Sequence, residues 1–363
     1  MANDHPDTPT QLHRGRGAVS NLAGRFASNT STRESDGWEL NEIVPARLHT
    51  EALPERAKSI ITTNRSPDIP FDQSINPYRG CEHGCIYCYA RPAHAYMDLS
   101  PGLDFETRLF FKPDAPALLE QALRKPDYRC SPIALGSNTD PYQPLERQQR
   151  ITRQLLEVML RFHQPATIVT KSQLILDDLP LLREMAQKNL CRVAISVTTL
   201  DSELKRRLEP RTAGPSARLR TIEALSSAGI PVAVMAAPMI PAINDSELEA
   251  ILTAAHNAGA DQAAYILLRL PHEVAPLFRQ WLQEHYPERL SHVMSLVRQS
   301  RGGQDYDSDF AQRQTGSGVF AQLLQQRFRV MCRKLGLNSR RQSLDCNAFS
   351  PPPQPGDQQS LFD

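Results

Sequence analysis

Six short apolar runs alternate with helical patterns along the middle of this chain, and that alternation restricts it to a parallel sheet covered by helices. The runs fall at 74–78, 132–135, 166–170, 192–197, 231–236 and 262–267. Helical spacing of apolar residues falls at 85–95, 146–162, 177–188, 216–228, 245–258, 274–286 and 319–335. Pro231-Val232-Ala233-Val234-Met235-Ala236 is almost wholly apolar, as suits a strand covered on both faces. A closed barrel of eight units needs two more strands than these runs supply. The expected fold is α/β: a partial, TIM-like (β/α)6 barrel, six-stranded and partly open. Helices 274–286 and 319–335 would be C-terminal additions.

The expected organisation is a lead-in over 1–55, a core over 56–270, a helical extension over 271–341 and a Pro-rich tail over 342–363. Ser, Thr, Asn, Arg and Gly dominate the lead-in, which is expected to be flexible and carries the basic, glycine-rich stretch Gly15-Arg16-Gly17-Ala18. Pro351-Pro352-Pro353-Gln354-Pro355-Gly356 fits neither helix nor strand, so the tail is expected to be disordered. The 363 residues, 40% of them hydrophobic, suffice for one large α/β domain or two ordinary ones. Formal net charge is +1, so any basic surface must be local. No apolar run approaches the roughly 18–20 residues that cross a bilayer. Met1 to Arg16 lacks a signal-peptide core. A cytoplasmic location with no membrane partner is therefore expected.

Of 7 cysteines, Cys81, Cys85 and Cys88 crowd together, while Cys130, Cys191, Cys332 and Cys346 are scattered. In a reducing compartment such crowding reads as a metal site. The segment Asn76-Pro77-Tyr78-Arg79-Gly80-Cys81-Glu82-His83-Gly84-Cys85-Ile86-Tyr87-Cys88-Tyr89-Ala90 carries the pattern C-x3-C-x2-C between an expected strand and an expected helix. Three thiolates on one short loop can bind three irons of a [4Fe–4S] cubane. Gly80 and Gly84 let the backbone wrap closely. An iron without a protein ligand is a Lewis acid, open to a small chelator bearing an amine and a carboxylate. Two other readings stand beside this one. Zinc could use His83 as fourth ligand, although Cys-x-His-x-Cys is compressed for that ion; or the spacing could be coincidence.

These residues resemble the radical S-adenosylmethionine superfamily, through C-x3-C-x-Φ-C with Tyr87 as the aromatic before the last cysteine. Arg-Gly-Cys-x-His-x-Cys-x-Tyr-Cys-Tyr-Ala, with Gly136-Ser137-Asn138-Thr139-Asp140-Pro141-Tyr142-Gln143-Pro144-Leu145-Glu146, is similar to the spore photolyase-related group. The likeness covers roughly residues 70–270. It implies a [4Fe–4S] cluster on Cys81, Cys85 and Cys88, and S-adenosylmethionine lying across the carboxyl ends of the strands. It implies reductive cleavage of that cofactor to methionine and a 5′-deoxyadenosyl radical, with electrons from an external donor such as flavodoxin or ferredoxin. Gly136 to Asp140 would hold the methionyl amino group, with Asn138 and Asp140 as acceptors; turn chemistry before a helix is the plain alternative. Lys171 matches a lysine that meets the cofactor carboxylate, or is simply exposed. Ser196 and Thr198 would bond ribose or carboxylate, or serve as core hydroxyls. Arg211 would clamp a carboxylate, or lie at the surface. The Tyr87 backbone would face the adenine, and Met239 to Asn244 would wall it off.

Spore photolyase is expected to use a hydrogen-donating cysteine near the end of its second strand. None occurs in 136–140, and Cys130 lies upstream. Repair of that thymine lesion is therefore doubtful. Tyr142 is a packing aromatic or a radical relay, and no catalytic residue is named. DNA leads as the expected substrate, with RNA or a protein side chain second; a non-catalytic, cluster-stabilised adaptor is the alternative of a different class. Basic stretches at Lys205, Arg206, Arg207, Arg211, Arg218, Arg220 and at Arg327, Arg329, Arg333, Lys334, Arg340, Arg341 could meet phosphates or be solvated faces. Gln358-Gln359-Ser360-Leu361-Phe362 resembles the peptide by which bacterial polymerases and repair proteins dock on the sliding clamp, with Gln358, Leu361 and Phe362 as its anchors. An uncommitted tail is the alternative.

Overall fold

The structure, a computed structural model, describes residues 13, 15–27, 48–339 and 343–353. The six apolar runs give six strands: β1 (Gln73–Ile75), β2 (Ile133–Leu135), β3 (Ala166–Thr170), β4 (Cys191–Ser196), β5 (Val232–Met239) and β6 (Gln262–Leu267). They pair in chain order, each parallel to the next. Thr62–Thr63 adds an antiparallel edge outside β1. Their carboxyl ends therefore share one edge of the sheet, where the loops after each strand gather. Helices Ala115–Leu123, Ile151–Arg161, Leu179–Gln187, Pro215–Ser227 and Leu248–Asn257 lie between successive strands. Along β5 fully buried residues alternate with half-buried ones, the mark of a strand covered on both faces.

Strands β1 and β6 do not pair, so the sheet stays open, as the strand count implied. Side chains bridge the gap. Asp68, in the loop before β1, accepts from Arg313 Nε at 2.5 Å and Nη2 at 2.7 Å, and from Gln314 Nε2 at 3.0 Å. The Leu267 N–H of β6 donates to the Gln314 carbonyl at 2.9 Å. Arg301, fully buried, donates to the carbonyls of Leu267, Leu268, Gln312 and Arg313. Helix Gly318–Leu335 follows and packs on Leu248–Asn257.

Several local expectations differ from what folds. The run 74–78 breaks at Pro77, which has no N–H for a ladder. Tyr78–Arg79 instead pairs with Arg108–Phe111, in a second sheet with Glu51–Pro54. The helix expected over 85–95 is a set of turns to Ala90 and then a 3₁₀ helix, Arg91–Met97. The pattern at 146–162 is interrupted by Arg150 with φ +51°. Helices Ala115–Leu123, Ser202–Leu208 and Leu290–Gln299 form in addition to the expected ones.

The described parts of both ends are packed. Arg16 to Ser20, within the expected lead-in, are buried. Within the expected tail, the Ser350 N–H donates to the Phe162 carbonyl, Phe349 meets Tyr128 at 5.3 Å between ring centroids, and the Pro352 carbonyl accepts from Arg124. Gln358, Leu361, Phe362, Arg340 and Arg341 lie outside the described residues. No described helix is long and apolar enough to cross a membrane.

Candidate active site

The three crowded cysteines sit on the loop after β1 and its short neighbour Tyr78–Arg79, at the carboxyl edge of the sheet. All are free thiols, Cys81 and Cys85 buried and Cys88 half-buried. The loop is held from several elements. Cys81 N–H donates to the Phe105 carbonyl at 2.9 Å, Ile86 N–H to Leu208 at 3.1 Å, and the His83 carbonyl accepts from Arg211 N–H at 3.3 Å. Gly80 and Gly84 take φ values of +74° and +66°. A Cβ on Gly80 would meet Leu109 Cδ2 at 2.6 Å, and one on Gly84 would meet Glu106 Oε2 at 2.7 Å. Only glycine fits this wrap.

The second motif, 136–146, braces the same loop. Gln143 accepts from Glu82 N–H at 3.0 Å and donates to the Gly80 carbonyl at 3.2 Å, spanning Cys81. Thr139 donates to the Tyr78 carbonyl at 3.0 Å. Gly136 ends β2 at φ +86°, and a Cβ there would lie 2.1 Å from the Val169 carbonyl oxygen. Asn76 accepts from Asn138 N–H at 3.1 Å. The Asn138 amide side chain has no hydrogen bond among the described residues and stays available to a ligand.

Asp140 is different. It accepts from Thr170 Oγ1 at 2.6 Å, Tyr142 N–H at 2.9 Å, Lys171 N–H at 2.8 Å and His83 Nδ1 at 3.3 Å. Burial alone would raise its pKa, but His83 and the hydrogen bonds outweigh burial and bring it down to about 2. Four donors fill its acceptor sites, so its place is to tie the cysteine loop to β2 and β3. The expectation that it accepts from a cofactor amine gives way to this positioning role. His83, turned to Asp140, is likewise spoken for.

Lys171 follows β3 and has no side-chain hydrogen bond among the described residues. Its ammonium lies 5.9 Å from the centroid of the Tyr87 ring. Tyr87 in turn donates its hydroxyl to Glu209, a fully buried carboxylate that sequence reading passed over. Glu209 also accepts from Thr198 at 2.6 Å, from Thr212 at 3.3 Å and from the Arg218 guanidinium. Burial would raise the Glu209 pKa, yet Arg218 and Lys171 bring it down to about 2. Thr198 is therefore a core hydroxyl of this network. Arg218, assigned above to a basic stretch, is buried and donates to the Ser196 and Ala213 carbonyls. Lys205 is also buried. The first basic stretch is thus not one phosphate-facing surface. Arg211 is exposed and pairs with Glu82 at 3.1 Å, on the cysteine loop. Ser196 ends β4 with no hydroxyl partner among the described residues. Asn244 locks β5 to β4, donating to the Thr198 and Pro238 carbonyls at 2.7 and 3.0 Å. Tyr142 is fully buried and donates to Asp178 at 2.9 Å, a packing role. Cys130 precedes β2 and so lies at the opposite end of the strand from this site.

The donor set suits a cubane better than a single ion. No three His, Cys, Asp or Glu side chains among the described residues converge as one metal ion requires. A cubane spreads its thiolates over separate irons. Burial pushes the Cys85 thiol up to about 12, with Glu209 adding to it, so loading the loop would release protons.

A family description, Radical SAM superfamily, matches residues 75–255, the span from the end of β1 into helix Leu248–Asn257. This chain belongs to the radical S-adenosylmethionine superfamily. The family uses a [4Fe–4S] cluster and S-adenosylmethionine, and these are the cofactors of this protein. Uncharacterised proteins of Mycobacterium tuberculosis and Mycobacterium bovis are each 39% identical over 232 residues, covering 63% of this chain and 68% of theirs. An uncharacterised protein of Methanocaldococcus jannaschii is 25% identical over 66% of this chain and 85% of its own. Among solved structures, spore photoproduct lyase complexed with dinucleoside spore photoproduct superposes with a TM-score of 0.53 at 13% identity, covering 79% of this chain and 80% of that one. A single-residue mutant of the same lyase gives 0.53 at 14%, with the same coverage. These likenesses establish a shared radical S-adenosylmethionine fold.

Proposed function

We propose that Cys81, Cys85 and Cys88 hold the cluster, and that S-adenosylmethionine lies beside it with its carboxylate toward Lys171 and its polar groups toward Asn138 and Ser196. The observation that carries this is the meeting, at one edge of the sheet, of three free thiols with an ammonium that has no hydrogen-bond partner among the described residues. Lys171 is half-buried and already feels the Glu209 and Asp140 charges; a ligand carboxylate would add the direct, charge-assisted hydrogen bond its ammonium lacks among the described residues. When bound, the cluster supplies the electron that cleaves the sulfonium, giving methionine and a 5′-deoxyadenosyl radical. The chain's own work is to orient and to exclude water. Gly136 brings the β2 loop against β3. Asp140 and Gln143 fix the cysteine loop. Glu209 and Arg218 hold the Tyr87 ring and the end of β4 in place. Asn244 closes the β5 side.

The substrate we propose is nucleic acid, DNA first, in a lyase-like or repair reaction. The shared motifs and the fold of spore photoproduct lyase support this reading, as does the clamp-like peptide at Gln358, Leu361 and Phe362. The hydrogen donor would differ from a strand-end cysteine, since none stands at 136–140. RNA or a protein side chain is the competing substrate. Anaerobic turnover with labelled S-adenosylmethionine and fractionated cell DNA, RNA and protein decides among them. Product label or modification in the DNA fraction supports the proposal, and its confinement to RNA or protein rejects it. For the tail, deleting residues 358–363 should abolish sliding-clamp binding in calorimetry and leave cofactor cleavage intact. Intact protein that shows no clamp binding ends that part.

A further inference from the structure

The cysteine loop has an outer face, and residues 15–26 cover it. Gly17 lies so close that a Cβ there would sit 1.8 Å from the carbonyl oxygen of Gly84, the residue before Cys85. Ala18 and the half-buried Leu22 join the apolar cluster that contains Cys85, Ile86, Leu277 and Trp281. Where the segment crosses the cysteine loop, it is latched by Glu106. Glu106, fully buried, accepts from Gly17 N–H at 2.9 Å, from Ala18 N–H at 2.8 Å and from Arg91 Nη2 at 2.5 Å. Arg91, also fully buried, donates from Nε to the Cys85 carbonyl at 3.0 Å. Arg16 doubles the attachment by donating to the Glu106 carbonyl at 2.8 Å. Further along, Arg25 pairs with Glu273 at 2.8 Å and Ser20 donates to Gln280 at 2.6 Å, fixing the segment to the start and body of helix Val274–His285.

One carboxylate thus joins the backbone of the N-terminal strap, through Arg91, to the backbone of the second cysteine. From this geometry we infer that Glu106 is a positioning residue for the cluster loop, and that the strap it latches shields the bound cluster from solvent and oxygen. The inference rests on the proposed function only for the identity of the group on the loop; the latch itself is tested without it. Glu106 carries a charge that two backbone N–H groups and a guanidinium satisfy together, the strong class of hydrogen bond. Its removal frees the strap and leaves Arg91 without its buried counter-charge.

Two variants separate the parts. Glu106→Gln removes the charge, and Gly17→Ala leaves the Glu106–Arg91 pair intact and only pushes the strap off Gly84. In the metal-free proteins, trypsin should cut after Arg16 and Arg25 about tenfold faster in either variant than in the parent, a local-opening effect with little change in global melting. In the anaerobically reconstituted proteins, both variants should lose the cluster's visible absorption faster on exposure to air. Glu106→Gln alone should also move the cluster's midpoint potential to more positive values, because a nearby negative charge is gone. Unchanged tryptic cleavage in both variants overturns the latch. Faster cleavage with unchanged bleaching and unchanged potential overturns the shielding and positioning role while leaving the proposed function standing. Failure of the parent protein to take up a cluster at all would fall on the proposed function instead.

Discussion

Single residues divide into those whose role shows in the sequence and those whose role depends on distant partners. The role proposed for Lys171 is of the first kind, since the residue needs only a position at a strand end in a parallel fold. Replacing it with Met keeps the stem and removes the charge. The expected result is a dissociation constant for S-adenosylmethionine raised about tenfold or more, the worth of one charge-assisted hydrogen bond, measured by anaerobic calorimetry on reconstituted protein. The cysteines are of the first kind too. Iron uptake should fail when Cys81, Cys85 or Cys88 becomes Ala, and should persist when Cys130, Cys191, Cys332 or Cys346 does, read by iron analysis of each variant. Glu209 and Glu106 are of the second kind. Nothing in Glu209-Pro210-Arg211 marks the first of these as a buried anion, because Tyr87, Thr198 and Arg218 reach it from three other segments. Asp140 stands out in the sequence, but its four donors do not, since they include two backbone N–H groups that no side-chain pattern displays.

At the scale of elements, the six strands and their parallel sheet follow from the apolar runs, and the edge bearing the site from the family resemblance. The turns between them do not. The expected helix over 85–95 yields to a wrapped loop, its Ile86 N–H bonded to Leu208 far along the chain and its Cys88 and Arg91 N–H groups closing short turns on Cys85 and Cys88. Gly136 shows how tightly such a loop is set. Gly136→Ala should destabilise the fold by about 1–3 kcal/mol through strain at positive φ and a clash with the Val169 carbonyl, visible as a lowered denaturant midpoint and as weakened cofactor binding. The buried network gives a pH test. Glu209 and Asp140 have folded pKa values depressed to about 2, below their ordinary carboxylate range. The unfolded chain then binds more protons in acid, so this stabilisation is complete above the ordinary range and disappears as pH falls from there through about 2. Melting temperature should drop across that window, and Glu209→Gln should flatten the drop while lowering stability at neutral pH.

For the molecule as a whole, the open edge between β1 and β6 is where a six-stranded barrel must find something to stand in for two strands. Asp68, Arg313 and Gln314 do so with side chains. This was invisible in the sequence because the partners are separated by most of the chain. Arg313→Met should accelerate hydrogen exchange at the Leu267 amide, which donates to Gln314 across that edge, with little change at the β3 and β4 amides. The termini teach the same lesson, for composition reads 15–26 as loose while Glu106, Arg91 and Glu273 hold it on the core. A single arrangement unites these scales: three thiols on a braced loop at the carboxyl edge of the sheet, beside an ammonium with no hydrogen-bond partner among the described residues. Its most direct test is release of 5′-deoxyadenosine by anaerobically reconstituted, reduced protein given S-adenosylmethionine, alongside a variant with Cys81, Cys85 and Cys88 all changed to Ala. The account predicts 5′-deoxyadenosine from the parent and none from the variant. No product from iron-loaded parent, or equal product from both, would contradict it.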